Sequence, residues 1–562
     1  MNRNSEQHYA QVPRAEIRRS RFKRDFNLLT TINEGDLVPI YCDEVLPGDT
    51  AKINMNALMR MSTPLYPVMD NCNCDFYFFF VPARLLWDHF ENLMGQNDSS
   101  YWAEPVEYTT PQVTSQTGWE EGTIADYMGI PTNIKNISVN AMPFRAYTKI
   151  WNEWFRDENL QQPSNLDTSD KTHTYSQNIE EDKKEIKRAQ IGGKPLKVCK
   201  YKDYFTSCLP SPQKGEAVKL PLTGNAPIRT YTDKEMTKQA AAIGNPEIYY
   251  SPWTWGGTEA NLEQTYDLDD IPKFQSKLVG KAKDKYNFVE QGNINPTKTV
   301  YLGADLSATT STTINELRQA IAVQHILERD ARTGSRYKEI LQGAWGVTSP
   351  DARLDRSEYI GGYRLPININ QVVQTSSTDT TSPQGNTGAY SMTTMSKKMC
   401  TYSATEHGYI IGLAAVRVEH SYQQGLARMW TRSTRFSYYD PMLANLGEQA
   451  VLNQEIYAQG NDQDEEVFGY QEAWADYRYR TNMVTSEMRS TYKQTLDAWH
   501  YADKYNELPK LSASWILEDD KNINRTLAVQ SSNSHQFICN FYFDQTWTRP
   551  LPIYSIPGLE TI

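Results

Sequence analysis

The residues that could carry out chemistry are few and scattered. The eight histidines include no H-E-x-x-H pair, in which two imidazoles one helical turn apart bind zinc. His89 and His325 lie in helical patterns, but neither has a partner histidine one turn away. The acidic run 461–466 begins like a calcium-binding loop, yet Val467 stands where the sharp turn needs glycine. We therefore predict a solvated acidic loop there, no metal site and no cofactor.

Motifs for nucleophilic catalysis and for phosphate binding are missing as well. The sequence has no G-x-S-x-G elbow. Gly193-Lys194 and Gly280-Lys281 lack the upstream glycine of a phosphate-binding loop. A carboxylate pair for glycoside hydrolysis cannot be singled out among 68 acidic residues. The sequence thus predicts no catalytic residue and a protein that is not an enzyme. A carbohydrate-binding or glycoside-active β-sandwich protein stays as the alternative.

The basic residues near the start of the chain are the best candidates for a binding site. The whole chain carries a net charge of −11, so any contact with nucleic acid has to be local. Positive side chains neutralise phosphates and release counterions without reading the bases. A solvated segment, or one that binds a scaffolding protein, is the alternative. We predict non-specific phosphate contacts from six residues of a basic N-terminal arm, 1–35: Arg14, Arg18, Arg19, Arg21, Lys23 and Arg24.

Alternating hydrophobic residues predict the strands that must position such a surface. In 51–57 every second residue is apolar, as in a strand with one buried face. Residues 38–42 alternate in the same way. The segment Leu46-Pro47-Gly48-Asp49 between them is typical of a type II turn, which predicts a hairpin. Further strands are predicted over 71–81, where one face is apolar throughout and the other changes from polar to apolar, and over 409–420 and 536–544.

Helical periodicity interrupts the strands over 145–158, 313–332 and 442–458. Residues 223–305 have frequent glycine but are too aromatic to be disordered. We interpret this interval as a variable, folded insertion between two parts of the core, 36–222 and 306–548. Its candidate surface residues are Tyr249, Tyr250, Trp253 and Trp255. The prolines at 550, 552 and 557 predict an extended C-terminal arm, 549–562.

The longest apolar runs, such as 76–82 and 409–416, are far too short to span a bilayer, so we expect no membrane insertion. The seven cysteines are odd in number and do not have the spacing of a disulfide scaffold. We expect them to be buried free thiols.

Several longer segments occur in one order from about residue 20 to the end. They include 43–49 (DEVLPGD), 78–87 (FFFVPARLLW), 143–147 (PFRAY), 205–210 (FTSCLP), 328–332 (ERDAR), 346–351 (GVTSPD), 422–426 (YQQGL), 446–450 (LGEQA) and 549–552 (RPLP). Together these segments resemble the major capsid proteins of the microviruses, in particular the gokushovirus branch. The poorest match is 223–305.

The resemblance implies a mainly β fold, an eight-stranded antiparallel jelly-roll whose loops carry large insertions with helices. It implies a virion protein of a bacteriophage, assembled in the host bacterial cytoplasm. Sixty copies would form a T=1 icosahedral shell around circular single-stranded DNA. The implied partners are an internal scaffolding protein, a DNA pilot protein, a small basic DNA-binding protein and a host surface receptor. We assign 223–305 to a surface protrusion at each three-fold axis that contributes to host attachment. We expect the arm 549–562 to wrap a neighbouring subunit.

Overall fold

The structure is a computed structural model. It describes residues 18–96, 107–176, 189–216, 218, 228–232, 252–254, 299–304, 314–373, 375, 385 and 387–555. For 228–232, 252–254 and 299–304 the description covers the backbone alone. Arg14, Tyr249, Tyr250 and Trp255 therefore lie outside the described residues, and Trp253 is described only by its backbone.

Strands dominate the described residues. Their bounds are β1 Ser20–Lys23, β2 Phe26–Ile32, β3 Val38–Val45, β4 Thr50–Met61, β5 Cys72–Pro82, β6 Gln112–Ser115, β7 Ile137–Asn140, β8 His173–Tyr175, β9 Ile228–Thr232, β10 Pro252–Thr254, β11 Thr299–Ala304, β12 Glu358–Pro366, β13 Ile369–Val373, β14 Thr387–Ser391, β15 Thr393–Ser403, β16 Gly408–Val418, β17 Ser421–Tyr422, β18 Glu448–Leu452, β19 Val467–Glu472, β20 Asn482–Met483 and β21 Phe537–Arg549.

Helices lie between the strands. Their bounds are α1 Phe90–Leu93, α2 Ile124–Tyr127, α3 Met142–Ile150, α4 Ile314–Thr333, α5 Tyr337–Trp345, α6 Asn453–Ile456 and α7 Lys521–Thr526, and a π-helical turn, Trp151–Phe155, continues α3. The predictions over 145–158 and 313–332 are confirmed. The predicted helix 442–458 is wrong, because a 3-10 turn at Pro441–Leu443, β18 and the short α6 divide it. Gly447 has φ +82°, which breaks the helical path just before β18.

Two antiparallel sheets form the core. The larger has the order β1-β21-β4-β15, with β2 also paired to β21, and the smaller has the order β12-β5-β16-β3. Strand β4 shows how the sequence selects the inner face: Met55 and Met59 are buried, whereas Lys52 and Asn56 are exposed. This strand order is that of an antiparallel jelly-roll, as predicted. One edge of the larger sheet is divided between β1 and β2 at Arg24 and Asp25.

The central strands of the smaller sheet, β5 and β16, are buried on both faces. In β5 the side chains of Phe76, Phe78 and Phe80 lie in the apolar cluster between the two sheets. Phe79 and Val81 point the other way, into a second cluster that contains most of α3. The prediction that the second face of this strand becomes apolar is therefore confirmed, and helices cover it as a third layer.

The turn at 46–49 has the predicted local geometry but does not close a hairpin. The Asp49 N–H donates to the Leu46 carbonyl at 3.0 Å, and Gly48 has φ +87°. However, β3 belongs to the smaller sheet and β4 to the larger one. The hairpin prediction is therefore wrong, because the turn carries the chain from one sheet to the other. The turn forms backbone hydrogen bonds with Ala404 instead. The Gly48 N–H donates to the Ala404 carbonyl at 2.8 Å, and the Ala404 N–H donates to the Asp49 carbonyl at 2.9 Å.

The chain divides into two compact units, one of residues 1–214 with 327–562 and one of residues 215–326. The first unit contains the two core sheets. In the second unit, β9, β10 and β11 form an antiparallel sheet with β11 at the centre. The predicted insertion, 223–305, falls within the second unit, and its role as a surface protrusion stays a prediction.

Candidate nucleic-acid interface

The predicted basic segment forms one edge of the larger sheet. Arg21 lies opposite Thr548 of β21, and Lys23 lies opposite Thr546. Between them, Phe22 is opposite Trp547, which is fully buried. Because neighbouring side chains of a strand point to opposite faces, the inward position of Phe22 places Arg21 and Lys23 on the outer face, where both are exposed.

The outer face continues this basic character across the sheet. The register places Lys23, Thr546, Lys52 and Thr401 in one row across four strands. Adjacent strands are separated by about 4.8 Å, so the backbones of Lys23 and Lys52 are about 10 Å apart. The next row towards the sheet centre runs from Asp544 through Asn54 to Lys398. Amide and hydroxyl groups therefore lie between the cations.

Two carboxylates accompany the cations on this face, and both lie beside Lys23. Its ammonium is 2.8 Å from Asp25 and 3.9 Å from Asp544. The hydrogen bond from Lys23 lowers the pKa of Asp25, and the same bond raises the pKa of Lys23. The face thus carries a positive excess in an acidic chain, with five exposed cations: Arg21, Lys23, Lys52, Arg60 and Lys398.

Arg24 points away from this face. Its guanidinium is 2.6 Å from the Asp43 carboxylate of β3 and 5.5 Å from the centre of the Trp547 ring. Arg549 lies against the same ring at 4.2 Å and pairs with the buried carboxylate of Asp49 at 3.2 Å. These contacts join the edge of the larger sheet to the smaller sheet and to the 46–49 turn, so Arg24 positions the edge strand.

Arg18 and Arg19 precede β1 and are exposed. The guanidinium of Arg19 lies over Gly48, 3.2 Å from the position that a Cβ atom would take there. Of the five predicted residues that the structure describes, Arg21 and Lys23 lie on the basic face, Arg18 and Arg19 lie beside its edge, and Arg24 pairs with Asp43 of the smaller sheet.

The sequence prediction missed Lys52, Arg60 and Lys398 as members of this surface. The alternation in 51–57 already directs Lys52 outward. What it does not reveal is that β21 lies between β1 and β4, since that pairing joins segments almost 500 residues apart. The face is therefore a product of long-range register.

The arrangement closest to a catalytic site is buried and closed. The imidazole of His420 lies between Asp503 at Nδ1 and Glu518 at Nε2, both at 3.0 Å, and its side chain is 1% exposed. Burial disfavours the imidazolium, but the two carboxylates outweigh burial and raise the pKa of His420 to about 10. Both ring nitrogens are thus occupied and no substrate can reach them. This cluster joins distant segments of the chain.

A second buried cluster surrounds Asp75 on β5. Its carboxylate accepts hydrogen bonds from Arg364 at 2.7 Å, Tyr201 at 2.7 Å and Arg417. Both guanidinium groups also lie against the Tyr201 ring, at 4.5 and 4.3 Å. Burial opposes ionisation of Asp75, but the charge of Arg417 and these hydrogen bonds lower its pKa. The cluster borders a cleft of about 730 Å³ on the helical side of the smaller sheet.

Within the described ranges, no cluster of three or more His, Cys, Asp or Glu side chains is arranged to hold a metal ion. In the same part of the chain no helix is long and apolar enough to cross a membrane. All seven cysteines are unpaired, and five of them are buried.

An antiparallel jelly-roll with insertions in its loops is an architecture that viral shell subunits share with lectins and cupins. The family described as "Capsid protein (F protein)" matches residues 10–559, and the chain belongs to this family.

Three relatives extend over nearly the whole chain, and each is named capsid protein VP1. The protein of Bdellovibrio phage phiMH2K is 39% identical over 561 residues, covering 99% of this chain and 98% of the relative. That of Spiroplasma virus 4 is 40% identical over 551 residues, covering 97% and 96%. That of Chlamydia phage 1 is 38% identical over 587 residues, covering 99% and 98%.

The predicted resemblance to gokushovirus-type capsid proteins is confirmed. The chain is a capsid protein, with a structural role as a component of a virion and of a multimeric shell. Of the two function classes that the sequence left open, the family assignment favours the shell protein over the carbohydrate-active sandwich.

Proposed function

We propose that sixty copies of this capsid protein form a T=1 icosahedral shell around circular single-stranded DNA, and that the basic outer face of the larger sheet contacts this DNA. The observation that carries the proposal is the outward placement of Arg21 and Lys23 beside Lys52, in a chain whose net charge is −11. We also propose that the chain has no enzymatic activity, because a shell subunit needs none.

The contact is with phosphates and is independent of sequence. Ammonium and guanidinium groups displace counterions from the nucleic acid, which supplies affinity and makes it depend on salt. Arg18, Arg19, Arg21 and Lys23 form the edge of this surface, and the proposal includes Arg14, which lies outside the described residues, for its charge alone. Arg24 contributes by holding the edge strand against Asp43.

Neutralising the edge should weaken DNA binding in a measurable way. In a variant with Arg18→Gln, Arg19→Gln and Arg21→Gln, three phosphate contacts are lost. Because the logarithm of affinity for single strands falls by about 0.7 per contact for each decade of salt, the slope should become shallower by about 2. The measurement is the affinity of purified subunits for an oligonucleotide at several salt concentrations, with the DNA content of assembled particles as a second readout.

The matched control removes the same charge elsewhere, through Lys135→Gln, Lys171→Gln and Lys194→Gln, all of which are exposed. Its salt slope should equal that of the wild type. An unchanged slope and unchanged DNA content in the arginine variant would remove these residues from the DNA interface.

We further propose that the shell is assembled in the host bacterial cytoplasm with an internal scaffolding protein, a DNA pilot protein and a small basic DNA-binding protein. The C-terminal arm, 549–562, reaches a neighbouring subunit. This is supported by its start, where β21 ends at Arg549 and the apolar side chains of Leu551, Ile553 and Tyr554 are exposed.

The insertion 223–305 is proposed to be the surface protrusion that binds the host receptor. Deleting it should leave the particle yield largely unchanged, because the paired strands of both core sheets lie outside this interval. Attachment of the particles to host cells should fall. Particle yield by sedimentation and adsorption to cells test the two halves separately, and loss of all particles would contradict the assignment.

A further inference from the structure

The segment 426–446 exposes apolar side chains to an unusual degree in the isolated chain. Trp430 is 69% exposed, Phe436 75% and Met442 90%. The other large apolar side chains exposed in this segment are Leu426, Met429, Tyr438, Tyr439 and Leu446. Single exposed apolar residues are ordinary, but a continuous set of this size marks a surface that binds something.

The segment is held firmly from beneath by polar contacts. Arg428 pairs with Glu455 at 3.0 Å, and Arg432 pairs with Asp476 and lies 4.3 Å from the Tyr477 ring. The Leu443 carbonyl accepts a hydrogen bond from the Trp474 indole at 2.8 Å. Two of the three arginines, Arg428 and Arg432, are thus held by carboxylates of neighbouring segments, whereas Arg435 is exposed together with the apolar side chains. These contacts present a fixed apolar surface at little cost in entropy on binding.

The composition of the segment is that of the centre of a protein interface. Its 21 residues contain three Arg, two Met and four aromatic residues, but no Lys, no Glu and a single Asp. Aromatic residues, Met and Arg are enriched in interfaces, whereas Lys, Glu and Asp are depleted. Aromatic and arginine side chains also bind single-stranded nucleic acid by stacking on its bases, so a crosslink from this segment to DNA would overturn the assignment to a protein partner.

The exposed area also suits a subunit contact. An aromatic side chain carries about 200 Å² of surface, so Trp430, Phe436 and Tyr438 together expose about 400 Å². Tyr439 and Met442, with the remaining members, extend this towards the roughly 800 Å² per partner that a stable interface buries.

We propose that segment 426–446 is a contact between subunits and that its occupant is a second copy of this chain. The inference rests on the proposed shell, in which a surface present on one copy is repeated on all copies and contacts between copies close the assembly.

The first test replaces Phe436 and Met442 by serine. Because both side chains are exposed in the isolated chain, the thermal unfolding of the subunit should not change. The affinity between subunits should fall more than about tenfold, as for loss of a central apolar contact, and particles should be scarce. The control replaces Leu29 and Met69, which are 74% and 78% exposed, by serine and should assemble normally. Equal particle yields in the two variants would overturn the proposal.

The second test identifies the occupant and does not depend on a loss of function. A benzoyl-phenylalanine photocrosslinker at position 436 is activated by light in assembled particles. Dimers of this chain support the proposal. A crosslink within one chain, or to another viral protein, overturns it. If the unmodified protein formed no particles at all, the proposed shell itself would fail, which is a separate outcome.

Discussion

Replacing His420 by glutamine should destabilise the subunit by about 3 to 5 kcal/mol, as expected when one partner of a buried ion pair is removed. The imidazole is 1% exposed and lies between Asp503 and Glu518. Glutamine removes the cation between the two buried carboxylates, and among the described residues only Asp503 keeps a second cation, Lys200 at 3.6 Å. Burial and the charge of Glu518 raise the pKa of Glu34, which is fully buried beside these carboxylates, well above the usual value. Urea unfolding of purified subunits measures the loss.

The contribution of His420 should also depend on pH. Its pKa is about 10 in the folded state and near 6.5 when unfolded. A histidine whose pKa is raised by folding contributes its full stabilisation to the folded state below pH 6.5. This contribution is lost as the pH rises through 10. The difference in unfolding free energy between wild type and His420→Gln should therefore shrink from pH 7 to pH 10. A difference that stays constant would contradict a charged imidazole.

The control for this experiment is His89→Gln. His89 also contacts a carboxylate, that of Asp170 at 2.8 Å, but its side chain is 39% exposed. Exposed ion pairs contribute about 0 to 1 kcal/mol. A loss for His420→Gln no larger than that for His89→Gln would show that the buried cluster contributes little to stability.

Replacing Asp75 by asparagine should have an effect of similar size, about 3 kcal/mol. The change removes the charge opposite Arg417, whose side chain is only 12% exposed, and weakens the bonds from Arg364 and Tyr201. These residues come from β5, β12, β16 and the segment after Cys199. Loss of the contacts between them should therefore weaken the packing on the helical side of the smaller sheet. The unfolding midpoint in urea is again the measurement.

Asp355→Asn is the matched control, because Asp355 pairs with Arg84 at 2.7 Å but is 61% exposed. Its cost should stay below about 1 kcal/mol. The pKa of Asp75 is lowered in the folded state, so its contribution is present above the usual aspartate pKa and is lost as the pH falls through the folded value. Equal costs for the two variants at neutral pH would contradict the importance of burial.

Local features of the fold could be predicted from the sequence. The alternation in 51–57 and 536–544, the glycine of the 46–49 turn and the stripes of α3 and α4 all depend on neighbours a few residues away. The error at 442–458 has a local cause as well, the positive φ of Gly447 ahead of β18.

Pairing between distant segments could not be predicted in the same way. The turn at 46–49 is compatible with a hairpin, but β3 and β4 pair with distant strands in two different sheets. The partners of His420 come from positions 503 and 518, and the residues beside Lys23 on the outer face come from β21 and β4. Such contacts depend on the register of the whole sandwich, which no short pattern in the sequence specifies.

The central claim is that this protein is a shell subunit, and the mass of the purified particle tests it most directly. Sixty copies of a 64.5 kDa chain give a protein mass of about 3.9 MDa. Light scattering of the protein expressed with its assembly partners should show a single closed species whose mass is this protein mass plus that of the packaged DNA. A species of tens to hundreds of kilodaltons under the same conditions would contradict the account.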